Sequence, residues 1–180
     1  MTVLVITGSA RQASFTRRLG EAVAGAADGG ELAQRLTGLP YFDQDREDAP
    51  PAAVQRFRAQ VRAADLVVVI TPEYNGTIPG LLGNAVDWLS RPYAGGALQG
   101  KPVLAVAASP GGVGGARALV SLRTVLGNAG AVLVGPGELV PHVDALLGDP
   151  GVAAGPAVVA AAQALLGAAG VELRARAHAA

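Results

Sequence analysis

No cysteine occurs in the 180 residues. Disulfides, thiolate nucleophiles and Cys-ligated metals are therefore excluded. Histidine is nearly as scarce. Only His142 and His178 carry an imidazole, too few for a His-rich metal centre. Neither sign of charge prevails: 14 basic side chains balance 14 acidic ones. That balance argues against an electrostatic nucleic-acid binder and against an acidic docking protein. Lys101 is the sole lysine among the basic residues. With the excess of alanine and glycine, this reads as codon bias rather than function. No apolar run approaches the roughly 18 residues of a membrane span. The start, Met1 to Ile6, lacks a basic stretch and enters a strand-like segment at once, so no secretory signal is expected and a cytoplasmic location is.

What is present is a chain 51% hydrophobic, of a length that suits one domain over residues 1–180. Strand and helix patterns alternate along it. Thr2–Thr7, Leu66–Thr71 and Val103–Ala108 are continuous β-branched or apolar runs, as strands buried on both faces should be. Glu31–Leu36 reads as a shorter, more polar edge strand and Ala131–Val134 as a fifth strand. Ser14 can cap a helix that runs to about Ala27. Val54, Phe57 and Val61 mark one face of a helix over Ala52–Ala63. Pro79 can open a helix running to Ser90. Further helices follow the glycines to about Asn128 and over Ala157–Ala169. Leu39–Pro51, Arg91–Gly100 and Leu139–Pro156 read as loop. Five strands alternating with five helices imply a flavodoxin-like α/β three-layer sandwich, with a five-stranded parallel sheet of order 2-1-3-4-5. The six-stranded Rossmann order fits five strands less well. Ligands of such sheets sit beyond the carboxyl ends of the strands.

Three loops at those ends are unusual. Gly8–Thr16 offers the hydroxyls of Ser9, Ser14 and Thr16, the guanidinium of Arg11 and the amides of a helix start. That set suits a phosphate; the plainer reading is a capped helix with a solvated arginine. No Gly-x-x-x-x-Gly-Lys and no Gly-x-Gly-x-x-Gly occurs in it, so triphosphate and standard dinucleotide sites lose weight. Pro72–Ile78 is rich in backbone donors and carries Tyr74, so it could line a flat ligand or merely turn over the core. Ser109–Gly115 contains Gly111, Gly112, Gly114 and Gly115, which permit close approach of a ligand or mark a flexible turn. Tyr41, Phe42, Tyr74 and Tyr93 fall in predicted loops, where aromatics can form a platform or cap the core.

The stretch from Gly8 to Leu19 (GSARQASFTRRL) resembles the flavin-phosphate loop of the NADPH-dependent FMN reductase family, whose members include quinone, azo-dye and chromate reductases. Pro72 to Arg91 (PEYNGTIPGLLGNAVDWLSR) is similar to the family's second signature, a long and specific match. Leu39–Asp43 and Ser109–Arg117 fit its intervening loops, and the likeness covers residues 2–135. The resemblance implies bound FMN, NADPH or NADH as electron donor, a quinone or similar small acceptor, and a homodimer, with a tetramer possible. It also implies that Ser9, Arg11, Ser14, Phe15 and Thr16 surround the phosphate. Pro72, Glu73, Tyr74, Asn75 and Gly76 would line the isoalloxazine, largely by main-chain atoms, and Ser109 and Gly112 would approach the flavin from the third loop. The polar residues that join dimers into tetramers are not obvious after Arg117.

If flavin carries the chemistry, no side-chain nucleophile is required. Glu73 is a tempting acid, but a loop carboxylate is more often solvated or a cap. Asp87 and Arg91, four apart, read as a surface ion pair. His142 is no strong candidate ligand, and Lys101 reads as solvated. Trp88 reads as core or subunit interface. The helix Pro79–Ser90 has more apolar surface than one sheet face needs, and Trp88 could anchor a dimer there. Two other functions compete: a flavodoxin-type electron carrier that does not oxidise NAD(P)H directly, and a nucleotide-binding or glycosyl-transfer protein without flavin. Zero net charge disfavours the carrier.

Overall fold

The computed structural model describes residues 1–151 and 154–179, with the side chains of 171–179 left aside. His178 thus lies outside the described side chains. The strands are β1 (Val3–Thr7), β2 (Gly30–Leu32), β3 (Leu66–Thr71), β4 (Pro102–Ala108), β5 (Val132–Leu133) and β6 (Glu138–Val140). The helices are α1 (Phe15–Ala26), α2 (Ala52–Ala63), α3 (Gly80–Leu89), α4 (Ala116–Asn128), α5 (Val143–Leu147) and α6 (Pro156–Ala179). All strand pairs are parallel, in the order β2-β1-β3-β4-β5, with β6 also on β4. The fold is flavodoxin-like, as the alternation predicts.

Period-two alternation divides the strands between two cores. Leu4, Ile6, Val67, Val69, Val103, Ala105 and Ala107 face α2, α3 and α4. Val3, Val5, Leu66, Val68, Ile70, Leu104, Val106 and Ala108 face α1, α5 and α6. Every residue of β3 is buried, which is why it reads as unbroken Val/Ile. At Gly20 a Cβ would come within 2.7 Å of Thr7 Cγ2, so α1 lies tight against the end of β1 and its N-terminus is held over the sheet's carboxyl rim.

Several expectations need correction. The second strand ends at Leu32, not Leu36. It pairs only with Val3–Val5 of β1, and the chain then leaves the sheet edge so that Leu36 and Leu39 can enter the α2/α3 core. The fifth strand continues beyond Val134 after a break. Pro136 has no N–H to donate and Gly137 has φ +86°, so β5 pairs with the start of β4 and β6 with its end. The stretch expected to be loop from Leu139 therefore holds β6 and α5. Lys101 is half-buried and partnered rather than simply solvated: its Nζ donates to the carbonyls of Arg62 and Ala64 and closes the end of α2.

Trp88 takes the core one of its two readings. It is 0% exposed within its own chain. Phe42 packs edge-on against it at 5.0 Å, and its Nε1 donates to the Pro40 carbonyl at 2.8 Å. Asn84 fixes the same loop, donating to Pro40 O at 3.0 Å and accepting from Phe42 N at 2.7 Å. The loop over residues 39–43 is thus fastened to α3 through Trp88 and Asn84. The Arg91 guanidinium stands over the Phe42 ring at 5.6 Å and makes no ion pair with Asp87. Burial raises the Asp87 carboxyl above its ordinary range, and the charge of Arg91 offsets part of this.

Candidate functional site

The ends of β1, β3 and β4 lie side by side, and Gly8 N donates to Ile70 O at 2.9 Å just beyond the paired residues. That brings the three unusual loops together at the point where strand order reverses. Between them is a cleft of about 230 Å³. Ser9, Arg11, Ser14, Phe15, Thr16, Pro72, Glu73, Tyr74 and Ser109 line it, together with Ala108 and Pro110. The last two were not foreseen, because strand-end alanine and loop proline carry no chemical signal. Asn75, Gly76 and Gly112 belong to the same loops but do not line the cleft.

The first loop is built around Ser14. Its side chain accepts the N–H of Arg17 at 3.2 Å and caps α1. Its hydroxyl also meets Thr16 Oγ1 at 2.9 Å, both groups being buried. The amides of Phe15 and Thr16 have no acceptor among the described residues, as the first turn of a helix requires. Arg11 is exposed, and its guanidinium rests 4.8 Å from the centre of the Phe15 ring. Hydroxyls, free amides, the positive end of a helix and a mobile cation thus converge on one small volume. This donor set fits a phosphate monoester.

The second loop is a tight hairpin. Tyr74 N donates to Thr77 O and Thr77 N to Tyr74 O, each at 3.0 Å. Asn75 and Gly76 between them have φ +53° and +75°. Two central residues at positive φ define a type I′ turn, for which Asn-Gly is the favoured pair. The amides of Asn75 and Gly76 have no acceptor among the described residues and can serve a planar ligand's polar edge. Tyr74 Oη stands 3.5 Å from Ser9 Oγ, the long limit of a hydrogen bond, and links this loop to the first.

The third loop packs against the segment after β6. Ser109 N donates to Val140 O, and Val143 N to Ser109 O. His142, at φ +49°, lies beside Gly112: a Cβ there would be 3.4 Å from Nε2. Glu73 is the only carboxylate lining the cleft among the described residues, and it is not free. Its Oε2 accepts the amides of Arg117 at 3.1 Å and Ala118 at 3.3 Å. Of the acid, solvated and cap readings of this residue, the structure shows the cap.

A larger cavity, about 450 Å³, lies between α1 and α6 among Arg18, Glu21, Ala22, Gly25, Ala26 and Leu147. Arg18 is spent there on the carbonyls of Leu147, Gly148 and Asp149. It offers no convergent donors, so the smaller cleft is the candidate site. Among the described residues, no group of metal ligands occurs and no helix is long and apolar enough to cross a membrane.

Residues 1–144 match the family described as NADPH-dependent FMN reductase. The chain is 40% identical over 129 residues to a quinone reductase of Pseudomonas putida, 69% of each chain. It is 36% identical over 141 residues to a 2-hydroxy-1,4-benzoquinone reductase of a Burkholderia species, 77% of each. Among solved structures it resembles FerB, a flavoenzyme NAD(P)H:(acceptor) oxidoreductase of Paracoccus denitrificans. That likeness has a TM-score of 0.79 and 28% identity, over 95% of this chain and 98% of the other. The chain belongs to the NADPH-dependent FMN reductase family.

Proposed function

We propose that this chain takes electrons from NADPH or NADH and passes them, with FMN bound at the candidate cleft, to a quinone or a similar small acceptor. The observation that carries the reading is the open start of α1, with its hydroxyls, free amides and Arg11, placed beside the Asn75–Gly76 turn. FMN when bound supplies the hydride and two-electron chemistry. The protein's part is placement. Ser9, Arg11, Ser14, Phe15 and Thr16 would hold the phosphate. The Pro72–Gly76 segment and Ser109 to Gly112 would flank the ring, largely through the main chain.

The cleft's 230 Å³ is below the roughly 300–1,000 Å³ of ordinary small-molecule sites. A flavin held at α1 would therefore extend beyond it. A second copy of the chain is the natural cover, and we infer a homodimer. Val113, Val120 and Leu139, which are 74%, 67% and 43% exposed, are apolar side chains it could cover. Light scattering at low micromolar concentration should exclude a mass near 17.9 kDa. A single domain would carry the activity, in the cytoplasm where reduced nicotinamide is supplied.

Stopped-flow absorbance of the purified yellow protein tests the reading. NADPH should bleach the flavin directly, and a quinone should restore it. A flavodoxin-type carrier would resist NADPH yet bleach with dithionite. A colourless protein that takes up no FMN would refute both.

A further inference from the structure

Glu73 has a role that cofactor binding alone does not require. Helix α4 starts at Gly115, which has φ +83° and no side chain to cap the helix. The missing acceptor comes from a residue 44 positions earlier, since Glu73 Oε2 takes the amides of Arg117 and Ala118. Its Oε1 lies 3.9 Å from the Arg117 guanidinium. A carboxylate accepting main-chain N–H at the positive end of a helix is a charge-assisted contact on both counts. Glycines flank the clasp at two left-handed positions, Gly115 at φ +83° and Gly76 at φ +75°. A Cβ at Gly115 would lie 3.6 Å from that of Glu73, and one at Gly76 would lie 3.6 Å from Arg117 Cδ. Glu73 immediately precedes the Tyr74–Thr77 hairpin, so the clasp ties the second loop to the third.

We propose that Glu73 is a positioning residue: its carboxylate anchors the Asn75–Gly76 turn to the start of α4 and so sets the width of the slot for the flavin ring. It is not a proton donor to the reaction. The inference rests on the FMN reading and assigns to Glu73 the ring end of the ligand, as Arg11 has the phosphate end. The two ends are separable, because riboflavin has the ring without the phosphate.

The test is a fluorescence titration of the full chain, stripped of flavin, with FMN and with riboflavin. Glu73→Ala should weaken both by the same factor, roughly tenfold for a lost charged contact. Arg11→Ala should weaken FMN alone. Glu73→Gln, which keeps an acceptor oxygen without the charge, should fall between wild type and Glu73→Ala and guards against an alanine variant that fails to fold. Amide exchange at Arg117 and Ala118, followed without flavin, should be slow in wild type and fast in Glu73→Ala. Unchanged affinities, a loss confined to FMN, or unchanged exchange would each overturn the proposal. A wild-type chain that binds neither flavin while exchange behaves as expected would sink the FMN reading and the ring slot with it, leaving the clasp as support for the fold.

Discussion

Helices α1 and α4 both begin on the carboxyl rim of the sheet, and both follow loops rich in glycine and serine. Their first amides meet opposite fates. At α1 the cap is local: Ser14 serves Arg17, while the amides of Phe15 and Thr16 stay open under Arg11. At α4 no local cap exists, and Glu73 fills the gap from another loop. A helix start attracts an anion in either case. One has its anion built in, and the other is left to receive one. Of these two helix starts only that of α1 keeps its first amides free of a protein acceptor, which agrees with one phosphate, as in a mononucleotide flavin, rather than two.

The largest effect that can break this comparison comes from Arg11→Ala. It should weaken FMN by about 1.5–3 kcal/mol, the range for a hydrogen bond to a charged group. Riboflavin should be nearly unaffected. Calorimetric titration with both flavins decides, and equal losses would show that the α1 start holds no phosphate. The next effect concerns α4. Gly115→Ala places a Cβ on a residue at φ +83°, with Ala107 Cβ already 3.4 Å away. Left-handed backbone costs a residue with a Cβ about 1–2 kcal/mol, and urea unfolding should show a loss of that size. A neutral result would mean that the backbone at 115 can relax without disturbing the Glu73 clasp. Ser14→Ala is expected to cost less, about 1 kcal/mol for a lost N-cap. It should also leave Thr16 Oγ1 without its 2.9 Å partner. If thermal melting is unchanged, α1 does not depend on its local cap and the contrast with α4 fails.

Much of this is legible in the sequence. Strands β1, β3 and β4 are buried on both faces, so their Val/Ile/Leu runs announce them. Asn75-Gly76 announces its own turn, because few other pairs accept two positive φ angles in succession. Ser14 is legible as a cap because it acts three residues away. What escaped was non-local. Nothing near Glu73 says that its partners are 44 residues ahead. The apolar pattern of α3 shows that Trp88 needs covering but not what covers it. The loop carrying Pro40 and Phe42 does so from within the same chain. The short β2 and the broken last strand escaped for another reason. At a sheet edge the pairing partner is on one side only, and the chain can leave wherever a buried Leu36 or a Pro136 makes departure cheaper.

The smallest expected effect lies at the opposite rim, where Asp65 uses the device of Glu73 with no ligand nearby. Asp65 Oδ2 accepts Thr2 N at 2.7 Å and Thr2 Oγ1 at 3.1 Å, joining the chain before β1 to the start of β3. The main-chain N–H of Thr2, then its hydroxyl, hold the Asp65 carboxyl below its ordinary range. A carboxyl lowered in the folded state contributes stability that is complete above the unfolded value of about 3.9 and is lost as pH falls through the folded value. Asp65→Asn removes the charge at every pH. Wild type should therefore be slightly more stable than the variant at pH 7, and the two should converge in acid as pH falls through the folded value. The contact is fully exposed to solvent, so the gap at neutral pH should be the smallest of those considered. Urea unfolding of both proteins across that range measures it. A gap that persists in acid would mean that Asp65 acts by shape alone. Glu73 would then be the only carboxylate of the pair whose charge on a backbone amide matters.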